Sequence, residues 1–167
     1  MENRRLRSIT LAAMIAALYV CLTYVAHIFG LDIGAIQVRV SEALCVLPYF
    51  TTAAVPGLAV GCLIANLLMA TPADVVFGTL ATLIGAAGTR LLRKWSPYLA
   101  PIPPIVSNAV IIPFVIAYSG GMPFEPMLLL GMAGTVGLGE VISCAVLGIP
   151  LLFILKRYRV RLFGREK

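Results

Sequence analysis

The chain has 167 residues, 60% of them hydrophobic and only 12% charged, with a mean hydropathy of +1.00. Soluble domains carry roughly 25% charged residues, so this composition excludes a globule covered by water. The net charge of +6 does not point to nucleic acid, because it sits in a few clusters between apolar runs.

Read in order, the apolar runs predict six helices. The first covers 9–29; its basic start is like that of a secretory signal, but the apolar stretch is longer than a signal core and is read as a retained helix. A polar, glycine-containing stretch from Gly30 to Arg39 follows. Residues 40–70 are apolar but interrupted at Pro48 and Pro56, which predicts two short helices, 40–51 and 54–70. Residues 40–70 allow only about 16 residues per helix, or roughly 24 Å, against the roughly 30 Å of a hydrocarbon core, and a shallow hairpin would also fit. The fourth helix covers 75–92. The fifth covers 98–118 and starts among several prolines, and the sixth covers 126–155. Short connections leave no room for a soluble domain, so the expectation is one membrane domain over 1–167, all-α, with six transmembrane helices.

The charges set a topology. Arg4, Arg5 and Arg7 precede the first run, Arg90, Arg93 and Lys94 follow the fourth, and Lys156, Arg157, Arg159, Arg161, Arg165 and Lys167 form the tail. With six crossings all three clusters fall on one side, as the positive-inside rule requires, which places both termini in the cytoplasm of a multi-pass protein of the cell membrane. The tail also suits contact with anionic lipid headgroups. Asp32, Asp74 and Glu125 fall outside, with Arg39 the one positive charge there. Trp95 and Tyr98 suit an interfacial position. Cys21, Cys45, Cys62 and Cys144 lie inside apolar runs without CxxC spacing or accompanying histidines. They read as buried thiols, with no metal and no disulfide implied. His27 reads as interfacial.

Two carboxylates interrupt the apolar runs. Glu140 lies 15 residues after Glu125 and 16 before Lys156, near the midplane, where an ionisable group costs a few kcal/mol and normally faces a cavity or a partner. Glu42 has Arg39 three residues before it, so an outer-surface ion pair competes with a ligand role. Asn108 near the middle of the fifth helix, Asn66 in the outer third of the third, and Gln37, Ser41 and Tyr49 on or beside the second add polar groups at similar depth. Together they suggest a polar pocket opening outward. Pro113 is expected to kink the fifth helix. Small residues mark packing faces: Ala12/Ala16 and Ala13/Ala17 in the first helix, Gly57/Gly61 in the third, and Gly131, Gly134 and Gly137 in the sixth. The glycine faces are expected to pack within the chain, while the double alanine face could equally dock another protein. No P-loop, HExxH or GxSxG motif occurs. No cofactor is implied, and an enzyme is supported by nothing beyond the intramembrane acids.

Several stretches carry a family likeness: Gln37-Val-Arg-Val-Ser-Glu-Ala-Leu44, Leu47-Pro-Tyr-Phe-Thr-Thr-Ala-Ala-Val-Pro-Gly57, Gly61-Cys-Leu-Ile-Ala-Asn-Leu67, Gly137-Leu-Gly-Glu-Val-Ile-Ser-Cys144 and Leu147-Gly-Ile-Pro150. The chain resembles the QueT family, substrate-binding S components of energy-coupling factor (ECF) transporters assigned to queuosine precursors. The resemblance implies a six-helix fold with an outward pocket closed by outer loops. It also implies that Ala12, Ala13, Ala16 and Ala17 dock a membrane scaffold subunit coupled to two cytoplasmic ATPases. Glu42, Glu140, Asn108, Asn66, Tyr49, Arg39 and Gln37 are then the candidate solute ligands. A deazaguanine presents an N–H and an amino group that suit one carboxylate, and a carbonyl that suits an asparagine amide. Tyr49 could stack on the ring, and an aminomethyl precursor would bring a cation for a second carboxylate. An S component for another vitamin-like solute, a small membrane enzyme and a purely structural subunit are the rivals.

Overall fold

The computed structural model describes residues 2–31, 34 and 36–163, all of them helix, turn or loop, without a strand. Asp32, Arg165 and Lys167, used above for topology, lie outside the described residues, as does the side chain of Arg161. Helix α1 spans Glu2–Ile28, starting seven residues before the expected boundary because the arginine cluster continues the helix. It ends where Gly30 takes φ +68 and Leu31 N–H donates to the Ala26 carbonyl at 3.0 Å. This left-handed glycine stop satisfies the last carbonyls.

The second element is not an α-helix. Val40–Tyr49 is a ten-residue 3-10 helix, numbered α2 here. Its neighbours explain its character: it lies between α1, the fourth helix and both halves of the sixth, and Ser41 through Pro48 are all buried. At about 2.0 Å per residue it is roughly 20 Å long. Arg90 Nη1 donates to the Pro48 carbonyl at 3.2 Å, meeting a carbonyl at its C-terminal end with a cation. Helix α3 is Ala54–Met69, close to the expected range.

Helix α4 runs Asp74–Leu92 and opens with a π turn over Asp74–Gly78. After a 3-10 turn at Pro97–Leu99, α5 covers Ile102–Ser119 and stops at Gly121, again at φ +61. Helix α6 is continuous from Pro126 to Phe163 but changes pitch: Pro126–Glu140 is α, Val141–Leu147 is π and Gly148–Phe163 is α. It therefore extends past the expected end at 155, carrying the basic residues as helix. Among the described residues, four helical stretches are long and apolar enough to cross a membrane: Arg4–Ile28, Asp74–Leu92, Pro97–Ser119 and Pro126–Arg159. Helices α2 and α3 are apolar but shorter.

Small residues decide how the helices meet, since lipid offers little hydrophobic drive and close packing takes its place. A Cβ on Gly57 would come within 2.8 Å of the Ala12 carbonyl, and one on Gly61 within 2.8 Å of Tyr19 Cβ and 3.0 Å of Ala16 Cα. Gly57/Gly61 and Ala12/Ala16 thus form one interface between α3 and α1. Ala16 is buried there, while Ala13 and Ala17 remain exposed, so the alanine face expected to act as a unit is split. Gly85 and Gly88 receive Pro104 and Pro103 in the same way, joining α4 to α5. Gly131 and Gly134 do not follow the expectation of internal packing: nothing lies within 4 Å of a Cβ at either position.

Candidate functional site

The buried polar groups converge where α2 meets α1 and α6, with α5 packed on α6 beside them. Glu42, one residue after buried Ser41, is 1% exposed, which removes the outer-surface ion pair as its role. Tyr19 O–H of α1 donates to Glu42 Oε1, and Cys45 Sγ, one 3-10 turn along α2, donates to Oε2 at 2.8 Å. Both carboxylate oxygens are therefore engaged. A second link between α1 and α2 lies alongside, with Thr23 Oγ1 donating to Ser41 Oγ at 2.8 Å.

Glu140 ends the first α segment of α6, immediately before the π turn, and is 6% exposed. It faces the bundle interior, not lipid. Cys144 Sγ, four residues on, lies 3.3 Å from Glu140 Oε2 and 3.5 Å from the Glu42 carbonyl oxygen. One carboxylate oxygen from each glutamate and Cys144 Sγ lie within 4.8 Å of one another. Two intramembrane carboxylates 98 residues apart in sequence thus share one buried site. The trio has donor types for a divalent cation, which on binding would displace the thiol proton.

Asn108 of α5 is 3% exposed and stands beside Glu140. Its Nδ2 makes no hydrogen bond of full geometry among the described residues, yet it lies close enough to Glu140 to act on that carboxylate. Pro113, buried one turn further along α5, cannot donate to the Ala109 carbonyl.

The segment before α2 closes the site from above. A Cβ on Gly139 would overlap the Gln37 carbonyl, so glycine at this position lets the Gln37–Arg39 backbone lie directly on α6 next to Glu140. Arg39 stands at the start of α2, its carbonyl accepting from Glu42 N–H at 2.9 Å. Its guanidinium lies within electrostatic range of both Glu42 and Glu140. Tyr19, Thr23, Arg39 and Asn66 border a small cavity of about 40 Å³, room for water but not for a bicyclic ring.

Five of the seven expected ligands therefore lie in or at the edge of one region: Glu42, Glu140, Asn108, Arg39 and Gln37. The remaining two are placed differently. Asn66 borders the small cavity, but its Nδ2 donates to the Asp74 carbonyl at 3.0 Å and approaches Cys62 Sγ at 3.3 Å, tying α3 to the start of α4. Tyr49 lies seven residues from Glu42, about 14 Å along a 3-10 axis, and packs edge-on against Phe50 with centroids 5.1 Å apart. That distance separates its ring from Glu42 and Asn108. Sequence reasoning missed Tyr19, Cys45 and Cys144 as members of the site, and it placed Cys21, which is exposed, among the buried thiols. The signals were there: Tyr19 continues the Ala12/Ala16 stripe at i+7, Cys45 follows Glu42 at i+3 and Cys144 follows Glu140 at i+4.

The sequence pattern of the QueT transporter family matches residues 9–157. The queuosine precursor transporter QueT of Lactococcus lactis subsp. cremoris is 37% identical over 84 residues, a stretch that spans half of this chain and half of that relative. No solved structure matches. The family match takes in every residue of the site just described and most of each membrane-length helix. The chain therefore belongs to the QueT transporter family, and it is a multi-pass membrane protein.

Proposed function

We propose that this chain is the solute-binding membrane subunit of an ECF-type importer, taking a queuosine precursor of the deazaguanine class at the Glu42–Glu140–Asn108 site. The observation that carries this reading is the convergence of buried Glu42, Glu140 and Asn108 at one place, in a chain whose relative is named as a queuosine precursor transporter. A carboxylate accepts from adjacent N–H groups with charge-assisted strength, and the asparagine amide donates to a ring carbonyl. These are the two halves of a lactam-and-amine edge. Arg39 and Gln37, lying over the site, would have to lift for the solute to enter, and their return would exclude water.

On this reading all six helices are embedded, with both termini cytoplasmic in the cell membrane. The arginines of α1, Arg90–Lys94 and the basic end of α6 then lie on the inner side. The short α2 and α3 are held inside the bundle by α1, α4 and α6. The exposed Ala13 and Ala17 supply the docking face for a scaffold subunit that couples to two ATPases, while Ala12 and Ala16 are already used by α3. ATP-driven reorientation of the whole subunit would present the solute to the cytoplasm.

Purified full-length chain titrated with a panel of deazaguanines and unrelated vitamin-like amines tests the solute. Saturable binding of a deazaguanine, lost in Glu140→Gln, is the expected result. Binding of another amine alone would reassign the solute, and binding of neither would overturn the reading. Co-purification from native membranes tests the scaffold and ATPase partners.

A further inference from the structure

The geometry points to Tyr19 as a positioning residue of the solute site, holding Glu42 from the helix that carries the exposed Ala13/Ala17 face. The inference rests on the solute-binding reading above and adds a residue and a role to it.

Tyr19 is 2% exposed and lies at the centre of α1, two residues beyond Ala17. Its position is set by α3, since Gly61 lets the two helices approach so closely that any Cβ there would strike Tyr19 Cβ. From that place its hydroxyl reaches across to α2 and donates to Glu42 Oε1. A phenol O–H can only donate to a carboxylate oxygen, which fixes the direction of this bond. With Cys45 on the other oxygen, Glu42 is clamped in one orientation. Glu140 is engaged differently: a thiol, a weak donor, lies on one oxygen at 3.3 Å, and the Asn108 amide stands beside the carboxylate. The two acids thus divide the work. Glu140, with Asn108, is the carboxylate open to the cargo, and Glu42 is the fixed charge that shapes the site beside it.

The same bond joins the docking helix to the site. Any displacement of α1 against α2 must stretch Tyr19–Glu42 and the neighbouring Thr23–Ser41 contact. Cys144 then carries the link onward, since it touches both the Glu42 carbonyl and the Glu140 carboxylate. A shift of α1 is therefore felt at both acids.

Tyr19→Phe keeps the ring that fills the α1–α3 contact and removes only the hydroxyl. In the full chain reconstituted in nanodiscs, deazaguanine affinity is expected to fall by about ten-fold or more, the usual consequence of losing a hydrogen bond to a charged group. In a Glu42→Gln background the same substitution should add little, because the charge it positions is gone. Unchanged affinity, or losses that simply multiply in the double variant, would overturn the role. A reading without solute comes from the infrared spectrum of the ligand-free chain. Tyr19→Phe should shift the carboxylate stretching band that Glu42→Gln removes, and no shift would overturn the inference. If the wild-type chain bound no deazaguanine, the transport reading would fail while the band shift still decided the Tyr19–Glu42 contact. Should Tyr19→Phe not fold, Glu42→Gln reads the bond from its other end. A shifted tyrosine ring-mode band in that variant supports the contact, and an unshifted one rejects it.

Discussion

Replacing glycine by alanine at Gly57 or Gly61 should destabilise the chain, whereas the same change at Gly131 or Gly134 should not. At Gly57 the added methyl would meet the Ala12 carbonyl oxygen at 2.8 Å, and at Gly61 it would meet Tyr19 Cβ at 2.8 Å with Ala16 backbone atoms at 3.0 Å. Carbon atoms rest about 3.5–4.0 Å apart, so α1 must back away from α3 by about 0.7 Å. Much of what blocks the methyl is backbone, which no rotamer change can clear. Overpacking of this kind costs about 1–3 kcal/mol. Alanine also favours a helix over glycine by up to about 1 kcal/mol, but that gain is common to all four positions and cancels in the comparison. At Gly131 and Gly134 nothing lies within 4 Å of the new methyl, so only the gain remains. Thermal unfolding of the purified chain in one detergent reads the difference. For a chain of this size about 2–4 °C accompanies each kcal/mol, so the Tm gap between the two pairs should be about 2–12 °C. Equal shifts at all four positions would refute the claim that α1 and α3 meet through these glycines.

Glu140→Gln should weaken deazaguanine binding by about ten-fold or more while leaving the circular dichroism and Tm of the chain near wild type, because Cys144 and Asn108 can still bond to the amide oxygen. Asn108→Ala should cost more affinity than stability, since its Nδ2 makes no hydrogen bond of full geometry among the described residues; a large drop in Tm with unchanged binding would reverse that assignment. Ala13→Leu should fold and bind solute yet abolish uptake in cells, because Ala13 is exposed. Ala16→Leu, at a position 7% exposed against α3, should fail at folding itself. If the two alanine variants behave alike in a folding assay, the division of the α1 face is wrong.

How much of this could be read beforehand depended on whether the signal was local. Helix positions followed from runs of apolar residues, and α3 and α4 came out within about a residue of their bounds. Glu140 stood out because a carboxylate 15 residues into an apolar helix is costly unless something holds it. The conformation of α2 could not be read the same way. Nothing in Val40–Tyr49 but Pro48 argues against an α-helix, and the 3-10 pitch arises where α1, α4 and α6 crowd the segment from several sides. The π turn after Glu140 was equally hidden. π turns inside α-helices recur at functional sites, and this one shifts the register of Cys144 relative to the acid it contacts. Tyr49 was grouped with Glu42 by depth on one short helix, and the stretched 3-10 pitch carries it to the opposite end of that element.

The small-residue stripes show why a motif alone underdetermines its partner. Two AxxxA pairs run side by side on α1, 100° apart around the helix, and sequence treats them as one face. Ala12 and Ala16 find glycines on α3, which brings the helices so close that the next residue on that stripe, Tyr19, reaches Glu42. Ala13 and Ala17 are left on the outside. Packing within the chain therefore uses one stripe of α1 and leaves the adjacent stripe exposed, and the buried stripe ends in a residue of the site. A helix built this way cannot move on its outer face without disturbing its inner one. That coupling follows from the 3.6-residue period and the glycines opposite, before any partner is invoked.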